Sequence, residues 1–318
     1  MAKDDYKKIE GLSQSQLKLI ESKPSEFLNF TYNDENRSKA MMRGTFVDEI
    51  LLSKDVDEST TKFFKENIVL AQVPTDTIKH ILDLYTDRIK LGFEESDDHL
   101  YDVSQMVGFG AANWKVPTVV AKMKENGGKE YIEHRLQGHN VISAEEKNTI
   151  FEIIQYFQSI PLFNEIRQES SFHVPLVKTI TLNNMSFTIK GELDILHKGT
   201  DIIDMKIINQ PLRSFFWSYY LGFRYDIQSV HYSKLIDECK SFSFLVYSTV
   251  DKCHAMFTVP KSFIEQSSGE SFTVRNREYI GYKGLLHRLD QHIQIDKWDM
   301  PFEYYLNEFH ILPIDTWM

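Results

Sequence analysis

Residues 191–208 read Gly191-Glu-Leu-Asp-Ile-Leu-His-Lys-Gly-Thr-Asp-Ile-Ile-Asp-Met-Lys-Ile-Ile208. Two apolar runs flank the turn signal Lys198-Gly199-Thr200, so the stretch predicts a β-hairpin. A hairpin of this length brings Asp194 and Asp204 close together. Residues two apart on a strand share a face, so Asp204 and Lys206 project together. Two carboxylates and a lysine at one place suit metal-assisted phosphodiester hydrolysis. Hard oxygen ligands hold Mg²⁺, the ion polarises phosphate and acidifies a bound water, and the lysine orients that water and stabilises developing charge. A surface hairpin would instead pair Asp204 with Lys206 to little effect. The run Ile202-Ile-Asp-Met-Lys-Ile-Ile208 reads as a buried strand, where unpaired charges are costly unless they have a function. Glu192, two residues before Asp194, is a spare candidate ligand.

Outward from this hairpin the second half of the chain is β-rich. Phe172–Ile180 and Met185–Leu196 read as strands joined at Asn183-Asn184. Leu212–Asp237 is helical and rich in aromatics. Ser241–Val250 and Cys253–Val259 form a strand pair turning at Asp251-Lys252, and a last long helix is expected over 262–293. Upstream, Ser13 caps a helix carrying Leu17 and Ile20. A charged loop follows from Asn33 to Lys39, and Met41–Leu52 reads as a helix carrying Asp48 and Glu49. Ser143 and Glu146 form a capping box before Ile150, Ile153, Ile154 and Phe157. Residues from about 55 to 140 read as an insertion covering a core of about 140–260. The expectation is one α/β domain over 1–318, with a central mixed sheet flanked by helices and a helical N-terminal part.

The chain has 318 residues, is 42% hydrophobic and carries a net charge of −10. That balance disfavours a general nucleic-acid binder but allows a local basic channel. No apolar run approaches the roughly 18 residues of a membrane span, and residues 1–8 lack a signal-peptide core. Two cysteines, Cys239 and Cys253, cannot build a disulfide framework or a four-cysteine cluster. A reducing, cytoplasmic setting is expected.

Asp194 followed by Asp204-Met-Lys206 resembles the signature of the PD-(D/E)XK nuclease superfamily. Gln228-Ser-Val-His-Tyr232, on the helix after that strand, resembles the Gln-x-x-x-Tyr motif of RecB-like nucleases. Leu12-Ser-Gln-Ser-Gln-Leu17, Glu169-Ser-Ser-Phe172 and Arg43–Leu52 resemble, in order, segments of RecE-type and lambda-type phage exonucleases. The resemblance implies a restriction-endonuclease-like core. Asp194, Asp204, Glu169, Asp48 and the Met205 carbonyl would ligate Mg²⁺ or Mn²⁺, Lys206 would position water, and Gln228 and Tyr232 would brace the site or contact DNA. It further implies 5′ to 3′ degradation of duplex DNA, a ring-shaped homo-oligomer, and a phage single-strand annealing protein as partner in the host cytoplasm. One departure stands out: the family's metal-binding histidine is replaced here by Asp48, a harder ligand. Glu49 could take its part, or the site could be impaired. The rival readings are a structure-specific endonuclease on the same core and a catalytically silent DNA-binding protein. Phe215–Tyr220 fits core packing or base stacking. Arg213, Arg224 and Lys234, and separately Arg275, Arg277, Lys283 and Arg288, are candidate phosphate contacts. His231 reads as ordinary.

Overall fold

The computed structural model describes residues 9–30, 39–110, 113–182 and 185–300. The chain forms two compact units, one of Met1–Gly44 with Leu162–Met318, the other of Thr45–Pro161.

The first unit is built on a five-stranded sheet ordered β1 (Ser170–Leu182), β2 (Met185–His197), β3 (Asp201–Ile208), β4 (Ser241–Ser248) and β5 (Cys253–Thr258). Neighbours are antiparallel except β3 and β4, which run parallel. The fold is therefore mixed α/β with a mixed central sheet flanked by helices, as expected. A parallel pair needs a crossover. Here it is a 3₁₀ turn at Leu212–Ser214, a π-helical stretch at Phe215–Leu221 and then helix α2, Tyr225–Leu235. The parallel strands are buried on both faces, with Ile202, Phe242, Phe244 and Val246 on one and Ile203, Met205 and Leu245 on the other. Lys198 and Gly199 take φ of 51° and 74° at the β2–β3 turn, the left-handed pair that a tight hairpin requires.

Helix α1, Gln14–Ser22, starts where the sequence places it. The Ser13 hydroxyl accepts from the Gln16 N–H, the Gln16 side chain accepts from the Ser13 N–H, and Leu17 and Ile20 face the core. Leu12 fixes this helix on the sheet, because its N–H donates to Thr188 and its carbonyl accepts from Lys190 on β2. The expected single helix over 262–293 is instead broken in two. Helix α3 (Lys261–Ser267) is followed by a hairpin of β6 (Ser271–Val274) and β7 (Arg277–Ile280), then by α4 (Tyr282–Ile295). The alternating Ser271-Phe-Thr-Val274 and the turn at Arg275-Asn276, with φ of 46° and 62°, override the helical signal on either side.

The second unit is mostly helical, with a two-stranded parallel pair, Asn67–Leu70 beside Asn140–Ser143. Its own core includes Ile81, Leu82, Leu100, Val119 and Met123. The segment read as an insertion lies within it. So does Ala144–Gln158, which the sequence reading assigned to the catalytic core and which starts at the predicted Ser143 cap. The helix expected at Met41–Leu52 is Lys39–Leu51 and runs through the boundary of the two units. The Asn183-Asn184 turn and most of the loop from Asn33 lie outside the described residues. Among the described residues no helix is long and apolar enough to cross a membrane.

Candidate active site

The β2–β3 ladder runs from His197↔Asp201 to Ile195↔Ile203 and ends there. Beyond it the Asp194 carboxylate takes over: its Oδ2 accepts from the Met205 N–H at 2.8 Å. A side chain thus replaces a strand carbonyl, and this ties Asp194 to the strand that carries Asp204. Asp204 is 1% exposed. Its Oδ1 accepts from Gln228 Nε2 at 2.7 Å, and its Oδ2 is ion-paired with the Lys206 ammonium. Removal from water, with Asp204 beside it, pushes the Asp194 carboxyl up to about 7. Burial works against the Lys206 ammonium, but Asp204, Tyr225 and Asp194 outweigh it and hold its pKa above the ordinary value. The predicted Asp194, Asp204 and Lys206 therefore form one cluster at the point where β2 and β3 part.

Helix α2 supplies the next layer. Gln228 reaches Asp204 and fixes that carboxylate. Tyr232, one turn on, instead packs its ring over Gly191, where a Cβ would lie 2.8 Å from Tyr232 Cε1 and 2.7 Å from Leu235 Cδ1. Gln228 thus touches the candidate site, and Tyr232 seats the helix on β2. His231 is fully buried, with Nε2 3.0 Å from the Lys190 carbonyl and Nδ1 3.0 Å from the Tyr282 hydroxyl. It pins α2 to β2 on one side and to α4 on the other. Arg224, a candidate phosphate contact, is engaged within the fold by Asp226, Glu21 and the Ile280 carbonyl.

Glu169, Asp48 and Met205 complete the predicted ligand set. Glu169 is opposite Lys198, whose N–H donates to its carbonyl, and its exposed carboxylate pairs with Lys198 Nζ at 2.9 Å. In the β1–β2 register the position facing Asp194 belongs to His173. Glu169 is four residues further along, roughly 13 Å at a strand's rise. The structure does not bring Glu169 to the pair. His173, with φ of 49°, faces Glu192 at 3.5 Å, and the Glu192 charge adds to the upward push on Asp194. Asp48 belongs to the second unit and is half-buried there. Met205 gives its N–H to Asp194 and lies in the parallel ladder with β4.

Among the described residues no group of three or more His, Cys, Asp or Glu side chains is close enough to cage a metal. Mg²⁺ does not need such a cage, since it binds through one or two carboxylates and keeps waters or phosphate oxygens as its other ligands. The Asp194–Asp204 pair fits that demand. Burial first, and then the Asp204 charge, hold the Asp194 carboxyl up at about 7 despite Lys206.

One residue in this cluster had no signal in the sequence. Lys18 of α1 places its ammonium 5.3 Å from the Tyr225 ring centroid, and the Lys206 ammonium lies 5.1 Å from the same centroid. Burial, then the nearby Lys206 charge, lowers the Lys18 pKa to about 7. The aromatic run divides between two roles. Phe215 and Tyr220 are buried, whereas Phe216 and Trp217 are 38% and 41% exposed, with Arg275 4.4 Å over the Trp217 ring.

No protein-family model matches the chain, and no curated protein sequence matches it either. A crystal structure of a candidate exonuclease from Eubacterium rectale is similar in fold. It aligns with a TM-score of 0.51 at 12% identity, over 99% of this chain and 96% of that one. The crystal structure of SSO0001 aligns with a TM-score of 0.29 at 10% identity, over 74% of this chain and 94% of that one, too low to support an argument.

Proposed function

We propose that this chain is a divalent-metal-dependent deoxyribonuclease of PD-(D/E)XK type, and that it acts as an exonuclease on duplex DNA. The observation that carries the reading is the cluster at the end of the β2–β3 ladder: two carboxylates side by side, Asp194 taking the Met205 N–H and Asp204 almost fully buried and held by both a lysine and a glutamine. A structural ion pair needs only Asp204 and Lys206. A second carboxylate beside them raises the electrostatic energy of the folded chain, which is the usual mark of a site built for a cation and a reaction. The fold likeness to the candidate exonuclease from Eubacterium rectale, over nearly the whole of both chains, supports the same class.

In this reading Asp194 and Asp204 hold Mg²⁺ or Mn²⁺, with the Met205 carbonyl as a further ligand. When bound, the ion polarises the phosphodiester and lowers the pKa of a water. Gln228 holds Asp204 in one orientation, so the carboxylate need not reorganise during the reaction. Lys206 orients the attacking water and stabilises the extra charge on phosphorus as the new P–O bond forms and the leaving oxygen departs. The resemblance extends the same proposal to 5′ to 3′ polarity, a ring-shaped homo-oligomer and work beside a phage annealing protein.

The test compares linear with covalently closed circular duplex DNA, in Mg²⁺, in Mn²⁺ and in EDTA, for wild type and Lys206→Ala. Metal-dependent loss of linear DNA alone is expected, with the rate falling by about 10²–10³-fold in the variant. Cleavage of circles would make the enzyme an endonuclease. Binding without cleavage in either metal would refute the enzymatic reading and leave a silent DNA-binding protein.

A further inference from the structure

The fold positions Lys18 with unusual firmness. The capping box at Ser13 sets the start of α1, Leu12 fixes that start on β2, and Leu17 and Ile20, on either side of Lys18, are fully buried. Its ammonium meets the Tyr225 ring from the α1 side, and the two ring distances bound its separation from the Lys206 ammonium at about 10 Å.

The two lysines differ in their counterions. Lys206 has Asp204. The carboxylate charges that bear on Lys18 are those of Asp226 and Asp204. Asp226 is held by the Arg224 guanidinium at 3.0 Å, and Asp204 by Gln228 and Lys206. Among the described residues no acceptor takes a hydrogen bond from Lys18. A half-buried cation beside a second cation, without an acceptor of its own, is an unfavourable element of a folded chain. An anion arriving at the carboxylate–lysine cluster would relieve it.

We propose that Lys18 is a phosphate-contacting residue of this site, its ammonium donating to a non-bridging oxygen of the same DNA phosphodiester that meets Asp194, Asp204 and Lys206. The proposal rests on the nuclease reading above. It adds a recognition element from the N-terminal helix to a site otherwise made by β2, β3 and α2. A cation that serves the ligand and not the fold has a recognisable signature: its removal weakens DNA binding without weakening the folded state.

The experiment uses the full chain, a short DNA duplex in EDTA, and the variants Lys18→Met, Lys18→Gln and Lys18→Arg. Fluorescence anisotropy over 50–200 mM salt gives affinity and salt slope without any need for cleavage. Lys18→Met and Lys18→Gln should bind about tenfold or more weakly, with the slope reduced by about 1. Lys18→Arg should recover most of the affinity. Thermal unfolding of Lys18→Met should occur at or above the wild-type temperature. In Mg²⁺ its kcat/KM should fall at least as far as its affinity. Unchanged affinity and slope in Lys18→Met and Lys18→Gln would overturn the proposal. So would a lowered unfolding temperature in both, since the cation would then serve the fold. The nuclease reading fails separately: a wild type that binds duplex but cleaves nothing in Mg²⁺ or Mn²⁺ refutes it, while the binding arm still judges Lys18.

Discussion

His231 gives the sharpest test of how helix α2 is held. Its side chain is fully buried, and burial lowers its pKa from 6.5 to about 4, with the Lys18 charge adding to the effect and the Lys190 carbonyl opposing it. The Lys190 carbonyl can only accept, so Nε2 carries the proton and Nδ1 accepts from the Tyr282 hydroxyl. The neutral ring is thus the form the fold requires. The sign follows: the unfolded chain takes up the proton first, so this contribution is intact above about pH 6.5 and is lost as pH falls toward 4. A shift of this size corresponds to about 3 kcal/mol once both states are protonated, and to about 2 kcal/mol at pH 5. The assay is urea unfolding of metal-free protein at pH 7.5, 6 and 5, for wild type and for His231→Gln. The glutamine keeps a donor and an acceptor but cannot titrate. The variant should start less stable at pH 7.5, and its further loss on going to pH 5 should be smaller than that of wild type by about 2 kcal/mol. Parallel curves would refute the reasoning, because they would mean that His231 is not held neutral by the fold. The consequence reaches the candidate site, because His231 lies three residues after Gln228 on the same helix. Acidification should loosen the hold on Asp204 before the sheet itself melts.

Two further outcomes follow from geometry alone. Gly191→Ala puts a methyl group within 2.8 Å of Tyr232 and 2.7 Å of Leu235, so α2 must shift off β2; urea unfolding should show a loss of about 1–3 kcal/mol, with cleavage falling through the displaced Gln228. Glu169→Gln, by contrast, removes only an exposed pairing with Lys198, so the rate of DNA loss should stay within about twofold of wild type and stability should change by less than about 1 kcal/mol. A drop of a hundredfold would return Glu169 to the list of ligands.

The contrast between Glu169 and Lys18 shows which parts of the site a linear sequence can carry. Asp194, Asp204 and Lys206 are legible because each breaks a local rule: a charge inside an apolar strand invites a functional reading on the spot. Gln228 is legible through its spacing on a helix. Ser13 and Ser143 are legible because a cap is a contact within four residues. Glu169 and Lys18 break no local rule. The place of Glu169 depends on the register between β1 and β2, and that register sets His173, not Glu169, across from Asp194. Lys18 looks like any lysine on an amphipathic helix; only the docking of α1 on β2 and α2 turns it toward Tyr225. The broken C-terminal helix is a different kind of miss. Its signal, alternation followed by a turn at Arg275-Asn276, was present locally and was outweighed by helical residues on both sides.

Charge in the cluster explains why an acidic protein can still be read as acting on DNA. The net charge of −10 is spread over the whole chain, but phosphate affinity is decided locally. Around Tyr225 two carboxylates stand against two ammonium groups. Water is largely excluded, so Asp194 relieves the pair by keeping a proton up to about pH 7. A phosphodiester entering alone would add a negative charge to this set and face Asp194 and Asp204 directly. A divalent cation entering alone would satisfy the carboxylates but stand beside Lys206 and Lys18. Each ligand offsets what the other makes unfavourable, so their binding must be mutually favourable, and by linkage each raises the affinity of the other by the same factor. In the proposed reading, such a site would hold each ligand more tightly with the other bound, as hydrolysis of a phosphodiester requires.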